Sequence, residues 1–274
     1  MKINRQHIIT GYCIIFYALM IYKWGNGMFL YQVQPSFFYT REDLFTWVFM
    51  QTGIHQWLLN NKDGWIFFDI IFYSAPLLFL VISTKWKSLI SAAAFYMLLV
   101  NWIYIQCYTL YPTTSIEGYT PWLFFPLVFM FSNKTTFSFL MEALRYFFLF
   151  FMLSAGIWKF IQGGIFNISQ MSGVLLYQHN QMLTNSTGYW QTDFYYRLIQ
   201  NPGVSWLLYA ISAIIELCFM VGFFTKKYDK LLTVLFIIFL FADYIIMRIP
   251  YFEMLPFLLT MQLRKKHLNE GQSF

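Results

Sequence analysis

The stretch FSFLMEALRYFFLFFMLSAGIWKF, residues 137–160, carries only three charged side chains, Glu142, Arg145 and Lys159. As an α-helix it is long enough to cross the roughly 30 Å hydrocarbon core of a bilayer, which needs about 20 apolar residues. Such a helix in water would expose aromatic rings on every side. Its natural surroundings are therefore lipid and other apolar helices.

The rest of the chain has the same character. Of 274 residues, 59% are hydrophobic and 11% charged. A soluble domain carries about 25% charge. The 33 Phe, 20 Tyr and 10 Trp exceed what interfacial aromatic belts require, so many rings must pack inside. The net charge is +6, but the basic residues cluster in short loops. Membrane topology accounts for them, and no nucleic-acid partner is expected.

Apolar runs fall at about 8–30, 64–83, 88–110, 119–132, 137–160, 204–225, 231–249 and 251–263. The pattern predicts an all-α integral membrane protein, a polytopic bundle of about eight segments. The fourth and eighth are short, so six or seven remain possible. Lys2, Arg5, Lys85, Lys87, Lys134, Lys226, Lys227, Lys230, Arg264, Lys265 and Lys266 occupy alternate loops. The positive-inside rule then places both termini in the cytoplasm. Arg41, Lys62 and Arg197 lie in the opposite connections. The first run is expected to be a retained helix and not a cleaved signal, since no small-residue cleavage site follows it.

Two long connections, about 31–63 and 161–203, fall outside. They are too aromatic for disorder and are expected to form a cap of re-entrant or interfacial helices. Asn167-Ile168-Ser169 and Asn185-Ser186-Thr187 are glycosylation sequons on that side. No internal repeat appears, so the chain reads as a single transmembrane domain over 1–274.

Charges at membrane depth usually mark function. Here they are Asp69, Glu142, Arg145, Lys159, Glu216, Asp243, Arg248 and Glu253. Glu142 and Arg145 are i, i+3 neighbours and are expected to pair. Glu216 and Asp243 are candidates to pair with Arg145 or Arg248. Lys159 has two readings. It snorkels to the interface, or it sits dry, loses its proton and acts as a general base. In the second case Trp158, Tyr177, His179 and Trp190 would wall an aromatic pocket suited to a quinone.

Other chemistries find no footing. His7, His55, His179 and His267 lack metal-ligand spacing. Cys13, Cys107 and Cys218 form no CxxC and read as packing residues. No metal is expected, and no glycine-rich phosphate loop or nucleophile elbow occurs.

The motif LRYFFLFFMLSAGIWKF resembles the signature helix of the HTTM family, the transmembrane domain of vitamin K-dependent gamma-glutamyl carboxylase. The matching positions are Arg145, Ala155, Gly156 and Lys159. NPGVSWLLYAISAIIELCFMVGFF is similar to the family's next helix, with its acid at Glu216. The paired apolar runs and short basic turn of 64–106 fit its earlier helices. The resemblance covers about 5–265 and extends to compact SdpB-like proteins, linked to maturation of secreted antimicrobial peptides, and to DoxX-related proteins. It implies that Lys159 is the base toward a hydroquinone. It also shows departures. Thr120 and Asp243 stand where histidines are expected, and Gln170 precedes Gly173 where the family has Trp. The luminal portion that holds a glutamyl substrate is not present in this sequence, so glutamate carboxylation is not the expected reaction.

Two functional readings follow. One is a quinone- or lipid-linked membrane enzyme, or a maturation factor acting on an exported peptide, with Lys159 as base and Arg145, Glu142, Glu216 and Asp243 as supporting charge. The other is a non-catalytic or transporter-like component that binds a partner membrane protein. Either would sit in the plasma (bacterial inner) membrane among lipids.

Overall fold

The computed structural model describes residues 5–33, 44–109, 119–185 and 189–262. Among these all the regular structure is helical, with no strand. Lys2, Arg41, the basic run Arg264, Lys265 and Lys266, and most of the second sequon lie outside the described residues. Six helical stretches are long and apolar enough to cross a membrane: Arg5–Gly25, Asp63–Lys85, Lys87–Tyr108, Lys134–Ile161, Pro202–Phe224 and Asp229–Met247. The eight expected segments thus resolve into six long ones and two short ones.

The contacts divide into two compact units, one built mainly from residues 1–142 with 252–260, the other mainly from 143–251. The sequence marks no such division, because it falls inside one uninterrupted helix, α7 (Lys134–Ile161). No change of composition accompanies it.

The first unit contains α1 (Arg5–Gly25), α2 (Leu44–Gln51), α3 (Ile54–Asn60), α4 (Lys62–Lys85), α5 (Ile90–Thr109), α6 (Thr120–Phe129) and the 3₁₀ stretch Phe252–Gln262. Pro121 and Pro126 suit α6, since the first needs no N–H partner at a helix start. With 10 residues, α6 rises only about 15 Å. Its two ends nevertheless meet opposite ends of α1. The Arg5 guanidinium donates to the Phe129 carbonyl, and the Lys23 amine donates to the Tyr119 hydroxyl at 2.5 Å. Long side chains make up the missing depth, and α6 runs antiparallel to α1 and α5.

Gln6 bonds Ser83, and Ser91 donates to the Met130 carbonyl. Arg5, Lys85, Lys87 and Lys134 are therefore gathered at one end of this unit. The 3₁₀ stretch starts at the other end. Glu253 pairs with Lys23 there at 2.8 Å, and Leu259 packs on Gly11, where an added Cβ would lie 2.8 Å from its Cδ2.

Interior rings fill this unit. Phe72 stacks on Tyr104 at 3.7 Å, and Phe16 sits 4.6 Å from Trp122. This is where the large aromatic content goes. Offset and edge contacts fill space that branched aliphatics would leave.

The second unit contains most of α7, then α8 (Gln170–Asn185), α9 (Trp190–Gln200), α10 (Pro202–Cys218), the short α11 (Val221–Phe224) and α12 (Asp229–Met247). On α12, Leu232, Phe236 and Leu240 are buried, while Leu231, Val234, Ile238, Phe241 and Ile245 are exposed. Both stripes recur at helical spacing and both are apolar. A water-facing stripe would be polar, so the outer one suits lipid. On α10, Val204, Leu207, Ile211 and Ile214 repeat the pattern.

Candidate functional site

The candidate site lies in the second unit, where α7, α10 and α12 each bring charge to an apolar interior. Gly156 sets the geometry. A Cβ added there would sit 3.1 Å from the Glu216 Cβ and 3.1 Å from Leu217 Cδ2. Glycine thus allows α10 to approach α7 at the level of Glu216. Lys159 lies one turn further along α7. Its amine reaches Glu216 at 2.9 Å and donates to the Ser212 hydroxyl at 2.8 Å. Ser212 and Glu216 are four residues apart, so one face of α10 presents both oxygens. The Gly-x-x-Lys spacing is therefore a packing rule: one residue lets the helices touch, and the next on that face crosses the contact.

Two rings flank the amine, Tyr209 with its centroid 5.2 Å away and Phe239 at 6.0 Å. Asp243, from α12, is within electrostatic reach of both Lys159 and Glu216. Its Oδ2 is buried and has no hydrogen-bond partner. The Lys159 side chain is 19% exposed. It neither extends into solvent nor stands as an isolated free amine, because a carboxylate neutralises it.

Arg145 sits elsewhere. Its guanidinium binds Asp229 at 2.6 and 3.0 Å and the Gly222 carbonyl at 2.9 Å. Gly222 makes room for this contact, since a Cβ there would meet Leu149 Cδ2 at 2.5 Å. The expectation that Glu216 pairs with Arg145 or Arg248 is corrected: Lys159 takes Glu216, and Asp229 takes Arg145. Arg145 and Lys159 lie 14 positions apart on one helix, about 21 Å along its axis. Arg145 therefore serves a separate ion pair and not the Lys159 cluster. Glu142 belongs to the first unit.

The aromatic residues named from sequence do not gather around the amine. Tyr177 is 87% exposed, Trp190 73% and Trp158 56%. His179 is buried, but it stacks on Tyr195 at 3.8 Å and bonds the Ile246 carbonyl at 2.8 Å. The rings beside Lys159 are Tyr209 and Phe239, which carry no sequence signal that sets them apart from the other aromatic residues of α10 and α12. Ser212 was legible as the i−4 neighbour of Glu216. Asp229 carried a weaker signal, a lone acid among Lys226, Lys227 and Lys230.

The first unit holds a third pair, also buried, Lys23 with Glu253, caged by Tyr108 and Tyr119 with ring centroids 4.8 and 4.6 Å from the amine. Nearby, Asp69 accepts from the Tyr104 hydroxyl at 2.7 Å and from the backbone N–H groups of Leu30 and Tyr31. That carboxylate pins the turn after α1. No cluster with metal-ligating composition occurs among the described residues.

An all-helical chain with six apolar helices of spanning length, outward apolar stripes and ion pairs turned inward belongs to the class of helical membrane proteins. Comparison with models of known protein families, with characterised proteins and with solved structures returns no match.

Proposed function

We propose that this chain is a membrane-embedded acid–base protein of the HTTM type: a quinone- or lipid-linked enzyme, or a maturation factor, that acts on an exported peptide with Lys159 as general base. The observation that carries the reading is the Lys159–Glu216–Ser212 contact, formed across a glycine-mediated helix crossing. Ionisable groups at membrane depth are costly. Well-packed apolar residues would hold the same two helices at least as firmly. Holding an amine against a carboxylate has a chemical use: one proton moving from the Lys159 ammonium to Glu216 leaves a neutral amine beside a neutral acid. No charge is separated, so a low dielectric does not oppose the exchange. The amine then has a lone pair to accept a substrate proton.

The residues present fit a hydroquinone. Tyr209 and Phe239 offer ring faces beside the amine, and the unpartnered Asp243 Oδ2 is an acceptor for a hydroxyl. A bound quinone would supply redox chemistry. The protein's own share is to orient it and to hold or move a proton at Lys159. The gathering of Arg5, Lys85, Lys87 and Lys134 at one end supports an inner-membrane topology with a cytoplasmic N-terminus. In this reading α8 and α9 form the external cap.

The competing reading is a non-catalytic component in which the ion pair is a strut. The three oxygens within 2.9 Å of the amine, both of Glu216 and that of Ser212, favour it. Organic extraction of protein purified in lipid nanodiscs, followed by mass spectrometry, separates the two. The enzymatic reading expects a quinone or lipid enriched over bulk membrane. It also expects its turnover to vanish in both Lys159→Met and Lys159→Arg at normal folded yield. Retained turnover in Lys159→Arg, or no enrichment, leaves the strut.

A further inference from the structure

The hairpin formed by α8 and α9 closes the C-terminal end of α12. The last carbonyls of a helix have no partner within it. Here three of them are met in turn. The Arg248 N–H donates to the Tyr244 carbonyl, with Arg248 itself in the left-handed conformation at φ 56°. The Tyr195 hydroxyl donates to the Ile245 carbonyl at 2.6 Å. The His179 Nε2 meets the Ile246 carbonyl at 2.8 Å. A carbonyl oxygen only accepts, so Nε2 carries the hydrogen and Nδ1 is the nitrogen left to titrate.

The surroundings of His179 are unfavourable to a second positive charge. The ring is 4% exposed. From α9 it faces Tyr195, whose hydroxyl also accepts from Arg248 Nε at 3.2 Å. From the end of α12 it faces the Arg248 cation. α10, packed on α8, brings Tyr209, and that hydroxyl lies against Gly164. Tyr177, on α8 itself, points outward. Among the described residues, burial, the Ile246 carbonyl and the Arg248 cation bear on the charge of His179, and no carboxylate does. Burial holds its imidazole below the ordinary histidine range, opposed by the Ile246 carbonyl, which favours the cation, and helped by a smaller push from Arg248.

The hairpin also connects the two helices that form the Lys159 contact, and the carbonyls it caps lie just beyond Asp243. We propose that His179 is a pH-sensitive latch: protonated on acidification, it releases the α8–α9 hairpin from the end of α12 and loosens the helices that bear Lys159, Glu216 and Asp243. The regulatory role rests on the function proposed above; the latch itself does not. The sign follows from the depressed imidazole. Docking is at full strength above the ordinary histidine value of about 6.5 and weakens as pH falls through it toward the lower value of the docked ring.

Hydrogen–deuterium exchange of the protein in nanodiscs, corrected for intrinsic rates, tests this at about pH 7.5 and about pH 5. Amides of α8, α9 and the last turn of α12 should exchange faster at the lower pH, by about tenfold for each unit of depression. His179→Gln keeps a donor for Ile246 and should remove the pH dependence. Arg248→Gln should shrink its amplitude. Indifference of the wild type to pH, persistence of the effect in His179→Gln, or an unchanged amplitude in Arg248→Gln overturns the latch. Exchange is read without any turnover, so failure of the latch leaves the Lys159 reading standing, and failure of that reading leaves the latch.

Discussion

The Glu216 carboxylate lies 2.9 Å from the Lys159 amine, one helical turn past the glycine that lets their helices touch. The pair exists because Gly156 lacks a side chain. Gly156→Ala places a methyl group 3.1 Å from two atoms of α10, and overpacking of this kind costs about 1–3 kcal/mol. Gly156→Val should cost more and separate the helices. Thermal unfolding in detergent reads the loss, with Gly173→Ala, where a Cβ meets nothing within 4 Å, as the silent control.

Arg145 and Asp229 form a buried pair with little exposure on either side. Removing Arg145 leaves the Asp229 carboxylate buried without its cation, at a cost of about 3–5 kcal/mol, and removing Asp229 takes from Arg145 its 2.6 Å carboxylate contact. Arg145→Met and Asp229→Leu should each lower the unfolding midpoint sharply. The double variant should recover most of the loss. Additive losses in the double variant would contradict a charge-pairing role.

In the first unit the Tyr119 hydroxyl accepts from Lys23, and the Tyr104 hydroxyl donates to Asp69. Hydrogen bonds to charged groups contribute about 1.5–3 kcal/mol. Tyr119→Phe and Tyr104→Phe should each destabilise by that order while keeping the ring packing. Tyr96→Phe, on an exposed ring of α5, should change little.

The alternation of basic loops along the sequence predicts membrane sidedness. In a variant lacking native cysteines, Lys87→Cys, Ser132→Cys and Lys227→Cys should react with an impermeant thiol reagent only after the cells are opened. Tyr177→Cys should react from outside. Labelling of Ser132→Cys from outside would mean that α6 does not carry the chain across.

The helical class and the positions of the long apolar helices were largely legible in the residues. The run at 137–160 became the body of α7, and the short runs at 119–132 and 251–263 became α6 and the 3₁₀ stretch. Apolar length is a local property, so it survives without knowledge of neighbours. Lys159 was also legible as an unusual charge, and Glu216 as its possible support. Neither the partner of Arg145 nor the rings beside Lys159 could be read. Those contacts join positions 50 to 84 residues apart, and periodicity assigns a residue to a face without naming the face it meets. The exposure of Tyr177 and Trp190 could not be read either, since an aromatic residue suits a pocket wall or an interfacial belt equally well.

By itself the sequence determined the solvent of this protein and its helices, because a chain with 11% charge has too few polar groups to face water and every backbone group must then be satisfied within a helix. Only the tertiary structure decided which charges meet. In an apolar interior each charge must find a partner at contact distance, and glycines at 156 and 222 determine where two helices come close enough to supply one.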